Sequence, residues 1–197
     1  VGVFETFNKK HNIDKIEELQ NTMADLTDQV MDINETIGSE PLLDDFDEDE
    51  LLKDLVDTDT VLISDYNKGV IQKDTVQKIL TKCKNVYVDP KQGFSRYIGA
   101  FLIKPNMKEY EAWFGKFNIE IAQDRCKSNL WTWLIVTDGA NGIHVVSKDS
   151  YKHIKGDAIE VSDVSGAGDS VLAIIAHYSQ HKDIPSACEL AYKGAQK

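Results

Sequence analysis

The sequence predicts an α/β protein, a doubly wound arrangement built on a mostly parallel sheet, and two observations carry that prediction. From Asp59 onward, short β-branched runs alternate with segments of helical apolar spacing. The runs "TVLIS", "NVYVD" and "AFLIK" are apolar along nearly their whole length. Strands of that kind, separated by helices, belong to parallel sheets buried on both faces.

The elements follow in order. The first sixty residues stand apart: "NIDKIEELQNTMADL" reads as a helix and "QVMDIN" as a short strand. The acidic run "DDFDEDELLKDL" (44–55) reads as a solvated helix N-terminus, where carboxylates suit the positive end of the dipole. A strand over 60–64, a helix over 73–83, and strands over 85–89 and 100–104 come next. A helix from near Pro105 and another over 120–128 precede strands over 131–137 and 142–147, which flank the turn signals of "DGANG". Residues 151–161 suit short antiparallel edge strands. Helices over roughly 167–181 and 185–195 close the chain, Pro185 starting the second. The expectation is one domain over 1–197, with a divergent segment at 1–58 and a core at 59–197.

Composition narrows the function. At 197 residues and 42% hydrophobic content, the chain can bury a substantial core. No apolar run reaches the roughly 18 to 20 residues of a membrane span, and residues 1–10 lack a signal-peptide pattern, so a cytoplasmic location with no membrane partner is expected. Cys83, Cys126 and Cys188 are far apart and form no C-x-x-C pair, which reads as reduced core residues. The formal net charge of -11 argues against nucleic acid as a partner. An anionic small substrate would need a local basic pocket. His177 and His181 are four apart but have no third ligand in view, and Trp113, Trp131 and Trp133 read as packing residues.

The stretch "SDVSGAGDS" runs into "VLAIIA", which reads as a buried helix. Gly166, Ala167 and Gly168 lie between Asp163 and Asp169. A glycine-rich turn entering a helix lets backbone N–H groups approach a phosphate, and a carboxylate in the first turn can take a proton from an attacking hydroxyl. By itself the stretch reads equally as a capped helix with a tight packing turn. In "KPNMKEYE", Asn106 and Glu109 share a helical face; they suit a capping pair, or magnesium directly or through water. "VTDGANG" sets Thr137, Gly139 and Gly142 at another strand end, fit for a nucleotide border or a plain hairpin. "SDYNKG" and "VDPK" supply Asp65, Lys68, Asp89 and Lys91 at the edge where open α/β sheets bind ligands.

Taken together, "NMKE", "TDGANG" and "DVSGAGD" in this order resemble the ribokinase-like (PfkB) carbohydrate kinases. "LISDYNKGVI" and "VDPKQGFSRYIGAFLIKPNMKEYE" are most similar to the branch that phosphorylates heptose 7-phosphate on the way to ADP-heptose. The resemblance runs from about Gln29 to the end. It implies a three-layer α/β/α fold and transfer of the γ-phosphate of Mg-ATP to the anomeric hydroxyl of the sugar phosphate. Asp169 would be the catalytic base, and Gly166, Ala167 and Gly168 the anion hole, with Asp163 supporting the loop. Asn106 and Glu109 would organise Mg2+ and phosphates, while Thr137, Gly139 and Gly142 would border ATP. Lys68, Lys91 and Arg96, with Asp65 and Asp89, are the candidates for the sugar phosphate. The resemblance further allows a homodimer and a nucleotidyltransferase domain, fused or separate. Its departures are Ser165 in place of threonine, Lys104 in place of a small polar residue, and the expected lack of the family's glycine-rich N-terminal sugar-binding segment. The same motifs admit a kinase for another sugar or a non-catalytic nucleotide-binding remnant.

Overall fold

The computed structural model describes residues 4–7, 52–53, 55–66, 72–91, 93–156 and 167–194. Among them, seven strands form one sheet in chain order. These are β1 (Phe4–Phe7), β2 (Thr60–Asp65), β3 (Asn85–Pro90), β4 (Leu102–Ile103), β5 (Trp133–Thr137), β6 (Gly142–Val146) and β7 (Tyr151–Lys155). The β2 to β5 block is parallel throughout. β1 joins it antiparallel at one edge, and β6 and β7 extend it antiparallel at the other. The parallel sheet expected from sequence is thus the centre of a mixed one.

Among the described residues, five α-helices cover it: α1 (Lys73–Lys82), α2 (Met107–Phe114), α3 (Ile119–Ser128), α4 (Ala167–Tyr178) and α5 (Ile184–Gly194). The parallel strands are added in a single direction, and right-handed crossovers then put every connecting helix on the same face. Accordingly Val76 and Ile79 of α1, Tyr110 of α2, and Ala122 and Cys126 of α3 pack with Val61, Ile63, Val86, Val88, Ile103, Leu134 and Val136. The alternate residues Leu62, Tyr87, Leu102, Ile135, Ile143 and Val145 point the other way, as the two-residue period of a strand requires. They would face water if the chain stopped at β7. Instead α4 and α5 cover them with Val171, Leu172, Ile175, Ala187, Cys188 and Ala191. The second helical layer therefore comes from the C-terminal pair.

Packing outweighs local signals in α1. Gln72 makes no side-chain cap at the start of α1, forgoing about 1 kcal/mol. Ile79 on its inner face is fully buried, and burial of such a side chain contributes about 1.5–3 kcal/mol. All three cysteines are buried and free.

Some boundaries moved. The strand expected over 100–104 contracts to Leu102–Ile103: Ala100 closes a turn onto the Tyr97 carbonyl before it, and the Lys104 N–H makes the bond to the Val88 carbonyl at its end. α5 starts one residue before Pro185, with Asp183 Oδ1 accepting the Ser186 N–H at 2.8 Å. β1 has no counterpart in the sequence reading. The helix in "NIDKIEELQNTMADL", the strand "QVMDIN", most of the acidic run and residues 157–161 lie outside the described residues. No helix among the described residues is long and apolar enough to cross a membrane.

Candidate active site

Strand alternation assembles the site. At the carboxyl edge of the parallel block, Ser64, Asp89 and Thr137 follow Leu62, Tyr87 and Ile135, so they face the side that α4 covers. Ser64 and Asp89 are register partners across β2 and β3. Lys104, just past β4, joins the same side. The N-terminus of α4 then descends on this row and brings Gly168 and Asp169.

Asp89 is the anchor, fully buried. Its Oδ2 receives Lys104 Nζ at 3.0 Å and Lys91 Nζ at 3.2 Å, while Oδ1 is buried without a hydrogen-bond partner. Lys104 is itself only 2% exposed. It is therefore a buried ion-pair partner rather than a solvent-facing lysine. Burial pulls the Lys91 pKa down, but the carboxylates of Asp89, Glu109 and Asp169 outweigh it and hold the group above its ordinary value. Lys91 stays charged.

Gly168 lies directly over this cluster. A Cβ placed there would sit 3.2 Å from Asp89 Oδ2 and 3.4 Å from Lys104 Nζ. The close approach favours glycine here, as the glycine-rich stretch suggested, though what it approaches is the protein's own ion pair. Gly168→Ala is expected to push α4 away by a few tenths of an ångström and lower turnover by about tenfold or more, since small misplacements at a reacting centre are amplified. Steady-state kinetics with a melting scan check it; an active, unshifted variant would show the contact to be slack.

Asp169 opens α4. Its Oδ1 accepts from Ser64 Oγ at 2.7 Å, and its Oδ2 accepts from the Tyr66 hydroxyl. Burial, then the hydrogen bond and charge of Asp169, push the Tyr66 phenol well above its usual pKa, so it donates throughout the physiological range. Lys91 Nζ lies 5.6 Å from the centroid of the Tyr66 ring.

Asn106 and Glu109 form a reciprocal capping box at the start of α2. Asn106 Oδ1 accepts the Glu109 N–H and Glu109 Oε2 accepts the Asn106 N–H, both at 2.8 Å. Burial raises the Glu109 pKa, and both Asp89 and the two lysines act on it, so this cap borders the Asp89 cluster. Thr137 bridges to Asn106 along the sheet edge. Gly139 and Gly142 flank the turn into β6 with positive φ of 50° and 103°. At Gly142 a Cβ would meet the Ile154 carbonyl oxygen at 1.9 Å, so β7 packing alone demands this glycine.

Asp65 and Arg96 stand apart from this group. Asp65 points to the opposite face, where its Oδ2 meets Arg96 Nη1 at 3.3 Å and accepts from the Tyr97 hydroxyl. Lys68, Asp163 and Gly166 lie outside the described residues, as does the side chain of Ala167. The structure thus unites Asp169, Gly168, Asp89, Lys91, Asn106, Glu109 and Thr137. Sequence reasoning missed Ser64 and Tyr66 as partners of Asp169, although alternation from Leu62 could have placed Ser64.

Sheet, helical layers and this edge define a protein of the ribokinase-like α/β class. Among solved structures, phosphofructokinase-2 from Escherichia coli matches with a TM-score of 0.64 at 16% identity, over 76% of this chain and 53% of that one. Ribokinase from Thermotoga maritima matches at 0.52 and 19% identity, over 71% and 58%. Residues 17–196 match the model of the pfkB family carbohydrate kinases, and the chain belongs to that family. The match starts ahead of Gln29, from which the motif resemblance runs. Curated relatives include the bifunctional protein HldE of Shewanella sediminis, 38% identical over 145 residues, which span 68% of this chain and 30% of the relative. HldE of Shewanella putrefaciens is 38% identical over 156 residues, 74% of this chain and 32% of the relative. The chain spans about a third of the length of these relatives.

Proposed function

We propose that this chain carries the nucleotide- and phosphate-handling part of an ATP-dependent kinase that converts heptose 7-phosphate to heptose 1,7-bisphosphate. The observation that carries the reading is a carboxylate, Asp169, in the first turn of α4, beside two lysines gathered on the fully buried Asp89. In a chain of net charge -11, that concentration of cations at one helix N-terminus suits a phosphoryl group. Similarity to HldE supports the heptose substrate.

Asp169 takes the proton of the anomeric hydroxyl as its oxygen bonds to the γ-phosphorus, and the bond to the β-phosphate oxygen breaks to release ADP. Backbone N–H groups of Ala167 and Gly168 at the start of α4 face the transferring group, and the family resemblance adds that of Gly166. Lys91, paired with Asp89 beneath Gly168, is taken to serve that group rather than the phosphate already on the sugar. Lys68 and Arg96 remain for the latter. Thr137, Gly139 and Gly142 border the nucleotide. Magnesium fits as an ion held chiefly by nucleotide phosphates and water, since Asn106 Oδ1 and Glu109 Oε2 serve the cap and Glu109 Oε1 is the oxygen left for it. Bound there, it would neutralise phosphate charge. A nucleotidyltransferase domain would complete the route to ADP-heptose.

The test is ADP release from Mg-ATP with heptose 7-phosphate, unphosphorylated heptose, fructose 6-phosphate and ribose, on this chain and on the full product of its reading frame. Heptose 7-phosphate is expected to exceed unphosphorylated heptose in kcat/KM by about a hundredfold, the worth of two charge-assisted contacts. Better use of another sugar overturns the substrate assignment, and no sugar-dependent release by either protein overturns the enzyme reading.

A further inference from the structure

We propose that Tyr66 is a positioning residue that occupies, in the absence of sugar, the hydrogen-bond place on Asp169 which the acceptor hydroxyl must take, while Ser64 holds the other carboxylate oxygen. This inference rests on the kinase reading above and deepens it.

The geometry is specific. Both oxygens of Asp169 are engaged by hydroxyl donors, Ser64 Oγ at Oδ1 and the Tyr66 hydroxyl at Oδ2. The two donors differ in freedom. Ser64 is buried within β2, its backbone locked in register with Asp89, so its hydroxyl is a fixed part of the sheet. Tyr66 lies one residue past the end of β2, half-buried, with Lys91 Nζ over its ring and, among the described residues, no strand-register partner for its backbone. Its phenol does to Asp169 what a sugar hydroxyl must do: it presents an O–H to a carboxylate oxygen.

Two consequences follow. The sugar must displace the phenol before it can be deprotonated, so Tyr66 competes with substrate and raises its KM. Water meets the same obstacle, so the base does not activate it while no sugar is bound, and ATP is spared hydrolysis. Ser64 does not compete with the acceptor. It fixes the carboxylate rotamer, so its loss acts on kcat.

The experiment is a split of KM against kcat in two variants, backed by a binding measurement that needs no turnover. Tyr66→Phe keeps the ring and removes the hydroxyl. Calorimetry with heptose 7-phosphate, magnesium and a non-hydrolysable ATP analogue is expected to show its Kd falling about threefold or more, in line with removal of a hydrogen bond to a charged group. Sugar KM falls in step, and ADP release without sugar rises relative to the sugar-dependent rate by about threefold or more, from the same uncapping. Ser64→Ala is expected to lower kcat by about tenfold with KM unchanged, through loss of orientation. Unchanged or weaker sugar binding by Tyr66→Phe overturns the inference, weaker binding marking the phenol as a sugar contact. Absence of sugar binding and turnover in the unaltered protein and in both variants overturns the kinase reading itself, a result distinct from the first.

Discussion

Replacement of Asp169 by asparagine is expected to reduce sugar-dependent turnover by about 10²- to 10⁴-fold, the range that general base catalysis supplies. Asn matches the carboxylate in shape, so Ser64 Oγ keeps an acceptor and α4 keeps its place over Asp89. What disappears is the group that can bind the departing proton. In the proposed reaction, phosphate contacts at the start of α4 come from backbone N–H groups and from Lys91, which the substitution leaves untouched. Nucleotide affinity should therefore stay within about threefold of the unaltered protein, since no hydrogen bond to phosphate is lost. Single-turnover kinetics with a nucleotide titration separates the two quantities. Full turnover in this variant would remove Asp169 from the mechanism, and a parallel loss of nucleotide binding would mark it as structural.

The second large effect is on stability. Lys104→Met should destabilise the protein by about 3 kcal/mol, at the low end of the range for breaking a buried pair. The low end applies because Asp89, with a side chain 0% exposed, keeps Lys91 at 3.2 Å. Asp89 already has one buried oxygen without a partner, so losing Lys104 leaves its charge poorly compensated. At roughly 2–4 °C per kcal/mol for a domain of this size, the melting temperature should fall by about 6–12 °C. Adding Asp89→Asn removes the stranded charge and should recover more than half of the loss. A single variant as stable as the parent, or a double variant worse than the single, would show that the pair does not support the fold.

The two sites are coupled through Gly168. The same carboxylate that draws Lys91 and Lys104 together also touches the turn that delivers Asp169. An acidic protein thereby gathers two cations at one point of its sheet edge. In the proposed reaction they offset the long-range repulsion of phosphate locally, where the lysines are partly desolvated and held by a buried anion.

Much of the fold was legible because its signals are local. The runs at 60–64, 85–89 and 133–137 carry β-branched apolar residues on both faces, and only a strand covered on two sides tolerates that. Asn106 and Glu109 declared a capped helix by spacing, and the structure shows the cap. What spacing could not reveal is direction across the sheet. Asp65 and Asp89 read alike in sequence, each an acid at a strand end. Register and alternation send Asp89 toward α4 and Asp65 toward Arg96 and Tyr97 on the other face.

By itself the sequence determined the element order and the parallel centre and singled out Asp169 as the proposed base, because periodicity and a glycine-rich helix start are properties of neighbouring residues. Only the tertiary structure decided which charges meet. Ser64 and Tyr66 reach Asp169 across more than a hundred residues of chain, and Lys104 reaches Asp89 across a strand boundary. Such contacts are set by the closing of α4 over the sheet, where burial makes each unpaired polar group costly enough to select its partner.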